Sequence, residues 1–253
     1  MNNELSDFTP EYGHALGVAT PQANTTVEPE MQMLLEGSVL TTRLTSTLAD
    51  SRARLIDYFD RLSVAIGQFD VAPLQAVGFA CTGSAYLVGR DEEARRIDAA
   101  AAAAGYPVLS AGISIRAALA ELGARRIALL SPYPKWLSEA GQQYWKSHGL
   151  ELVSVVGLPA DLLDTRNIYK LTTARVLEVF AGLDTSRADA VLLSGTGMPT
   201  LSTIASVKPG IPVLSSNLCL AWQLTRAAGG AAALAPWLAG DARWRARLAA
   251  RRA

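Results

Sequence analysis

Two cysteines and two histidines in 253 residues leave little for metal or disulfide chemistry. There is no CxxC pair and no His-rich tract, so no structural metal site is expected. Two cysteines without a secretory leader point to free thiols in a reducing compartment. The first residues, MNNELSDFTPEYGHA, have neither the basic stretch nor the apolar stretch of a signal peptide. No apolar run reaches the roughly 18 residues of a spanning helix, so a cytoplasmic chain without a membrane segment is expected. Lys plus Arg and Asp plus Glu number 23 each, for a net charge of zero. Such a chain sets up no field that would gather nucleic acid or an anionic membrane. Its one basic cluster is terminal: Arg243, Arg245, Arg247, Arg251 and Arg252 around Trp244. That cluster reads as a solvated or frayed last helix. Also missing are a GxxxxGK phosphate loop and the G-x-S-x-G elbow of serine hydrolases.

What the chain does have is apolar content, at 50% of its residues. That is enough for one large or two modest cores. Short apolar runs alternate with helix-like stretches. Strands are expected at 15–19, 76–80, 107–109, 126–130, 150–156, 190–193 and 212–214. Helices are expected at 49–68, 91–104, 113–122, 135–148, 168–182, 199–206 and 218–228. DEEARRIDAAAAAAG shows the logic, with acids in the first turn, alanines through the body and Gly105 as the stop. Strand–helix alternation gives parallel sheets with helices on both faces.

The chain also repeats itself. GFACTGSAYL (78–87) matches LLSGTGMPTL (192–201), with Cys81 over Gly195, 114 positions apart. YPVLSAGISIRAALAELG (106–123) matches IPVLSSNLCLAWQLTRAAG (211–229), with Pro107 over Pro212. GVATPQ (17–22) matches ALLSPY (128–133), with Pro21 over Pro132. Three matches in one order at similar offsets imply two similar α/β halves of roughly 110 residues each. The first is expected at 1–123 and the second at 124–217, with the last helical region, 218–253, packing back on the first.

Each matched motif is a strand end followed by a small polar loop, where open parallel sheets bind ligands. Two facing halves bring both sets of loops to one cleft. The loops are Pro21-Gln22-Ala23-Asn24-Thr25-Thr26, Cys81-Thr82-Gly83-Ser84, Ser131-Pro132-Tyr133 and Ser194-Gly195-Thr196-Gly197. They carry hydroxyls, an amide and helix N-termini, but no carboxylate. That surface favours an anion, and without a nearby lysine a carboxylate suits it better than a phosphate. Cys81, after a strand and before T-G-S, is placed for nucleophilic or proton-donor chemistry, its pKa lowered by the helix N-terminus. Cys219 falls inside a helix and reads as packing. His14 precedes the first strand and His148 ends a surface-like helix, so neither offers a Cys–His pair.

At these residues the chain resembles the aspartate/glutamate racemase superfamily, in the branch of the maleate cis–trans isomerases and arylmalonate decarboxylases. The resemblance runs over about residues 15 to 230. PQANTTVEPE is similar to that branch's P-S-S-N-T-T loop, which puts Pro21, Asn24 and Thr25 on a substrate carboxylate. CTGS resembles the catalytic-cysteine loop, with Cys81, Thr82 and Gly83. SPY carries the family tyrosine at Tyr133. DTRN supplies a second substrate-binding asparagine at Asn167, and SGTGMPTL gives Ser194, Gly195, Thr196 and Gly197. The implied fold is two pseudo-symmetric flavodoxin-like halves, each a parallel four-stranded sheet with helices on both faces and the active site between them.

The implied enzyme needs neither cofactor nor metal, and its partner is a small mono- or dicarboxylate. A homo-oligomer is left open. Two-base racemases of the superfamily have facing cysteines, but here the second position is Gly195. That disfavours racemisation, which needs an acid and a base on opposite faces of one carbon. Two reactions remain for one thiol. Cys81 adds to the alkene of a cis-dicarboxylate, permits rotation and leaves; or it protonates the enediolate left by a decarboxylating malonate, with space at Gly195 for a bulky substituent. In both, loop N–H groups, Thr82, Tyr133 and Thr196 stabilise the charge. A non-enzymatic carboxylate-binding protein is the third reading. Arg166, if it faces the cleft, would pair with a second carboxylate.

Overall fold

The computed structural model describes residues 15–157, 164–208, 210–230 and 233–251. Two four-stranded parallel sheets organise the chain. In the first, β1 (Ala15–Pro21) lies between β2 (Val39–Leu44) and β3 (Leu74–Phe79), and β4 (Val108–Ser110) pairs with β3. In the second, β5 (Arg126–Ser131) lies between β6 (Glu151–Gly157) and β7 (Ala190–Leu193), and β8 (Val213–Ser215) pairs with β7. The strand orders are the same, β2-β1-β3-β4 and β6-β5-β7-β8. The sequence repeat is therefore a structural one. All seven residues of β1 are buried, as a central strand covered on both faces requires, and this is why it reads as an unbroken apolar run.

Parallel neighbours need crossovers, and helices supply them. After β1 comes α1 (Val27–Leu34); after β2, α2 (Ser51–Asp60) and α3 (Leu62–Gly67); after β3, α4 (Thr82–Val88) and α5 (Arg90–Ala104); after β4, α6 (Ala111–Glu121). In the second half, α7 (Lys135–Ser147) follows β5, α8 (Thr173–Phe180) follows β6, α9 (Leu201–Ser206) follows β7 and α10 (Ser216–Ala227) follows β8. The matched serines Ser110 and Ser215 do the same work. Each hydroxyl accepts an amide of its helix's first turn, Ile113 N and Leu218 N. Those helices, α6 and α10, pack on each other between the sheets, and α10 also packs on β3 and α1.

Several elements differ from the sequence expectation. The helix expected at 49–68 breaks at Arg61 into α2 and α3, which lets α2 pack on α4 while α3 packs on β2 and α5. The helix expected at 168–182 is a 3₁₀ turn (Thr165–Lys170), an extended Leu171 and then α8, capped by the Thr172 hydroxyl. Three elements were not anticipated: α1, α4 and the edge strand β2. The region 218–253 is not one helix but α10, α11 (Ala235–Leu238) and α12 (Arg243–Ala250).

Nor is α12 frayed. Trp244 is buried, and α12 packs on α1 and α9. Arg247 donates to the Met33 and Leu34 carbonyls at the end of α1, where a helix's last carbonyls lack intrahelical donors. No helix among the described residues is long and apolar enough to cross a membrane.

Candidate functional site

β1, β3, β5 and β7 all end at one place between the sheets. A cavity of about 20 Å³ lies there, lined by Pro21, Cys81, Gly83, Tyr133 and Thr196, with α2 and the 3₁₀ turn closing it. Cys81 is the last residue before α4, at φ −144°, so its sulfur sits at the helix N-terminus. The Ser84 hydroxyl lies 3.0 Å from Cys81 Sγ and 2.6 Å from the Leu55 carbonyl. Its single proton serves one of them: Leu55 when the sulfur is a thiol, the sulfur when it is a thiolate. Burial nevertheless wins. Desolvation pushes the Cys81 thiol above its ordinary pKa, against the Ser84 hydroxyl and the Ser84 and Gly83 amides that pull it down. The expectation of a lowered pKa is thus corrected, because the helix end acts within a nearly dry wall.

Tyr133 reaches the same wall from the loop after β5. Burial holds its phenol well above the usual value, and it stays a proton donor. Thr196 ties the loops together: its hydroxyl donates to the Ala80 carbonyl at 2.9 Å and accepts from Asn24 Nδ2 at 3.4 Å. Among the described residues neither the Thr196 nor the Gly197 amide has a protein acceptor. Thr196 lines the cavity, where its amide can meet an anion, whereas Gly197 stands outside the lining against Ile168 and Tyr169.

The other anticipated residues stand around this wall. Asn24 is buried, but its Oδ1 caps α1 by accepting from Thr26 N and Val27 N. Thr82 donates to the Ser216 hydroxyl, which also accepts the Gly195 amide. Ser194 shares a hydrogen bond with Tyr86 at 2.6 Å. Thr25 is exposed beside α1, and Asn167 on the 3₁₀ turn is half-buried; neither lines the cavity. Nor is there open space at Gly195. Its φ is +104°, and a Cβ there would lie 2.8 Å from Pro132 Cγ and 3.2 Å from the Tyr133 hydroxyl. Tyr133 and Pro132 fill the place that a facing cysteine or a bulky substituent was expected to use.

His148 is half-buried. It packs against Tyr144 and Trp145, and burial pushes its pKa down to about 4. Cys219 is fully buried in α10. His14 lies outside the described residues.

Sequence reading missed Arg54, Tyr58 and Tyr169, which complete the wall. The clue for Arg54 was its phase: it falls four residues before Tyr58, on the face of α2 that carries Leu55, Tyr58 and Phe59. Tyr58, raised by burial to about 12, and Tyr169 both neighbour Cys81. No group of three or more His, Cys, Asp or Glu among the described residues is placed to hold a metal ion. A wider cleft, of about 500 Å³ around Trp237 and Arg243, contains none of the strand-end loops.

The family model for arylmalonate decarboxylase matches residues 16–236. A maleate isomerase from Geobacillus stearothermophilus is 28% identical over 230 residues, covering 83% of this chain and 90% of that protein. The structure of a Nocardia farcinica maleate cis–trans isomerase, a cysteine-to-serine variant with a covalently bound succinylcysteine intermediate, superposes with a TM-score of 0.78 at 25% identity, covering 86% of this chain and 93% of that one. An arylmalonate decarboxylase structure shares the fold, with a TM-score of 0.73 at 22% identity over 86% of this chain and 94% of that one.

Proposed function

The chain belongs to the arylmalonate decarboxylase family, and on that premise we propose that it is a cofactor-independent cis–trans isomerase of a small dicarboxylate such as maleate, with Cys81 as nucleophile. The observation that carries the reading is the position of Cys81: the only cysteine on the cavity wall, at a helix N-terminus, beside Tyr133 and the free Thr196 amide.

The Cys81 thiolate adds to one alkene carbon and forms a C–S bond. The π pair moves onto the neighbouring carbon and its carboxylate as an enediolate. The former double bond is now single and rotates. The pair returns, the trans alkene forms, the C–S bond breaks and the thiolate is regenerated. In this route the enediolate collapses without carbon protonation, so no second acid or base is required opposite Cys81; protonating it would give the succinylcysteine form named for the Nocardia farcinica variant. The lack of that requirement suits a site with glycine at 195. The Tyr133 hydroxyl and the Thr196 amide are placed to donate to the enediolate, whose charge is greatest in the intermediate. The maleate isomerase relatives support the substrate class. Decarboxylation of a bulky malonate is less well supported, since Pro132 and Tyr133 occupy the space beside Gly195.

Proton NMR in deuterium oxide tests the reading. With maleate, fumarate free of solvent deuterium is expected from the protein and not from Cys81→Ala. A deuterated monoacid from a substituted malonate, with maleate untouched, would replace the isomerase by a decarboxylase. Turnover of neither would leave a carboxylate-binding protein.

A further inference from the structure

Charge is distributed unevenly on the cavity wall. Two guanidinium groups line it, Arg54 from α2 and Arg166 from the 3₁₀ turn, and no carboxylate does. Arg54 is 1% exposed. Its Nη1 donates to the Ala49 carbonyl at 2.9 Å and the Leu48 carbonyl at 3.2 Å; its Nη2 reaches Asp164 Oδ1 at 2.8 Å and the Ser51 hydroxyl at 3.0 Å. So bound, it is a fixed cation. Arg166 is different: its side chain is 50% exposed, and its Nε and Nη2 are both spent on Asp164 Oδ2. One carboxylate, from a residue outside the lining, therefore serves both arginines. Tyr58 lines the same cavity as both guanidiniums and Cys81, between charge and nucleophile. Two cations against one anion leave the wall one positive charge in excess. The strand-end loops supply no other cation.

We propose that Arg54 and Arg166, with the Tyr58 hydroxyl, form the subsite for the second carboxylate of the substrate, and that Asp164 is an internal carboxylate which the substrate displaces from Arg166. The proposal rests on the dicarboxylate reading above. The exchange is favourable in kind, because an exposed ion pair contributes little while the same guanidinium facing a closed, poorly solvated cavity holds a carboxylate more strongly. It also accounts for access: the cavity of about 20 Å³ has room for roughly one water, so a diacid requires the Asp164 contacts to part. Arg54 stays in place through its carbonyl partners and gives the arriving carboxylate a fixed anchor.

Protection of Cys81 from iodoacetamide tests this without turnover, using succinate as an unreactive dicarboxylate and butyrate as its monocarboxylate control. Both cysteines are buried, Cys81 at 4% exposure on the cavity wall and Cys219 at 0%, so the labelling is run on Cys219→Ala protein, in which it reports Cys81 alone. Arg166→Gln, at an exposed position, is expected to weaken succinate protection about ten- to a hundredfold and leave butyrate within about twofold. Asp164→Asn is expected to strengthen succinate protection, the reverse of what loss of a merely structural carboxylate would do. The proposal is overturned if succinate protects the Cys219→Ala protein no better than butyrate, if Arg166→Gln weakens both ligands equally or neither, or if Asp164→Asn weakens succinate as Arg166→Gln does. Arg166-dependent succinate protection without maleate turnover would sink the isomerase and leave the subsite standing. Maleate turnover with protection indifferent to Arg166 would do the opposite.

Discussion

Cys81 shows how one side chain is pulled two ways. The amides of α4 and the Ser84 hydroxyl favour its thiolate, and burial disfavours it more. No Asp, Glu or His lines the cavity to take the thiol proton. Activity should therefore follow the thiolate fraction. We expect kcat/KM for maleate to rise with pH along a single-proton limb whose midpoint lies above the ordinary thiol value of about 8.5. A profile that is flat from neutral pH upward would mean the thiolate is already formed. The sign for stability is opposite: a raised folded pKa stabilises the protein below about 8.5, and that contribution is lost as pH climbs through the folded value. Cys81 and Tyr133 were legible because the repeat marked their loops as strand ends. Arg54 was not, because a charged residue early in a helix reads as solvated unless its phase is followed to the buried stripe.

Gly195 shows what an element demands of a residue. The turn from β7 toward α9 bends through φ +104°, which side chains adopt at a cost, and the missing Cβ is where Pro132 and Tyr133 pack. Gly195→Ala is expected to lose about 1–3 kcal/mol of stability in denaturant unfolding and to displace Tyr133, lowering kcat more than KM. An alanine variant of wild-type stability and rate would remove the steric account. Legibility differs between elements for a similar reason. The central strands β1, β5 and β7 are covered on both faces and announce themselves as apolar runs. β2, VLTTRL, is an edge strand with mixed exposure, and its period is lost among threonines. Helix α1 was hidden because Asn24, two residues before its N-cap Thr26, read as a ligand residue rather than as the acceptor for the Thr26 and Val27 amides.

Across the molecule, the two halves meet through packed helices, α6 on α10 and α4 on α7, and through buried polar groups. Glu30 of α1 accepts from the Thr200 and Leu201 amides and from Asn217 Nδ2, and Asn217 in turn donates to the Thr196 carbonyl. Tyr86 accepts from Trp145 Nε1 and meets Ser194, again across the divide. Desolvation raises the Glu30 pKa, and the Thr200 and Leu201 amides and Asn217, with the Thr200 hydroxyl, oppose it. Glu30→Ala is expected to cost about 3–5 kcal/mol, since it strands buried donors of the second half. Chemical denaturation followed by near- and far-UV signals would measure it. A loss below about 1 kcal/mol would show that the halves hold together without this carboxylate.

Local chemistry and periodicity were enough to specify two α/β halves, the four loops at their strand ends and the cysteine among them. Those features depend on neighbours in the chain: apolar runs, serine caps, a repeat in register. The dryness of the Cys81 wall, the closure beside Gly195 and the reach of Arg54 to Asp164 join residues distant in the chain, 110 positions apart in the last case. Burial and charge pairing are sums over such distant neighbours, so no stretch of sequence carries them until the chain has folded.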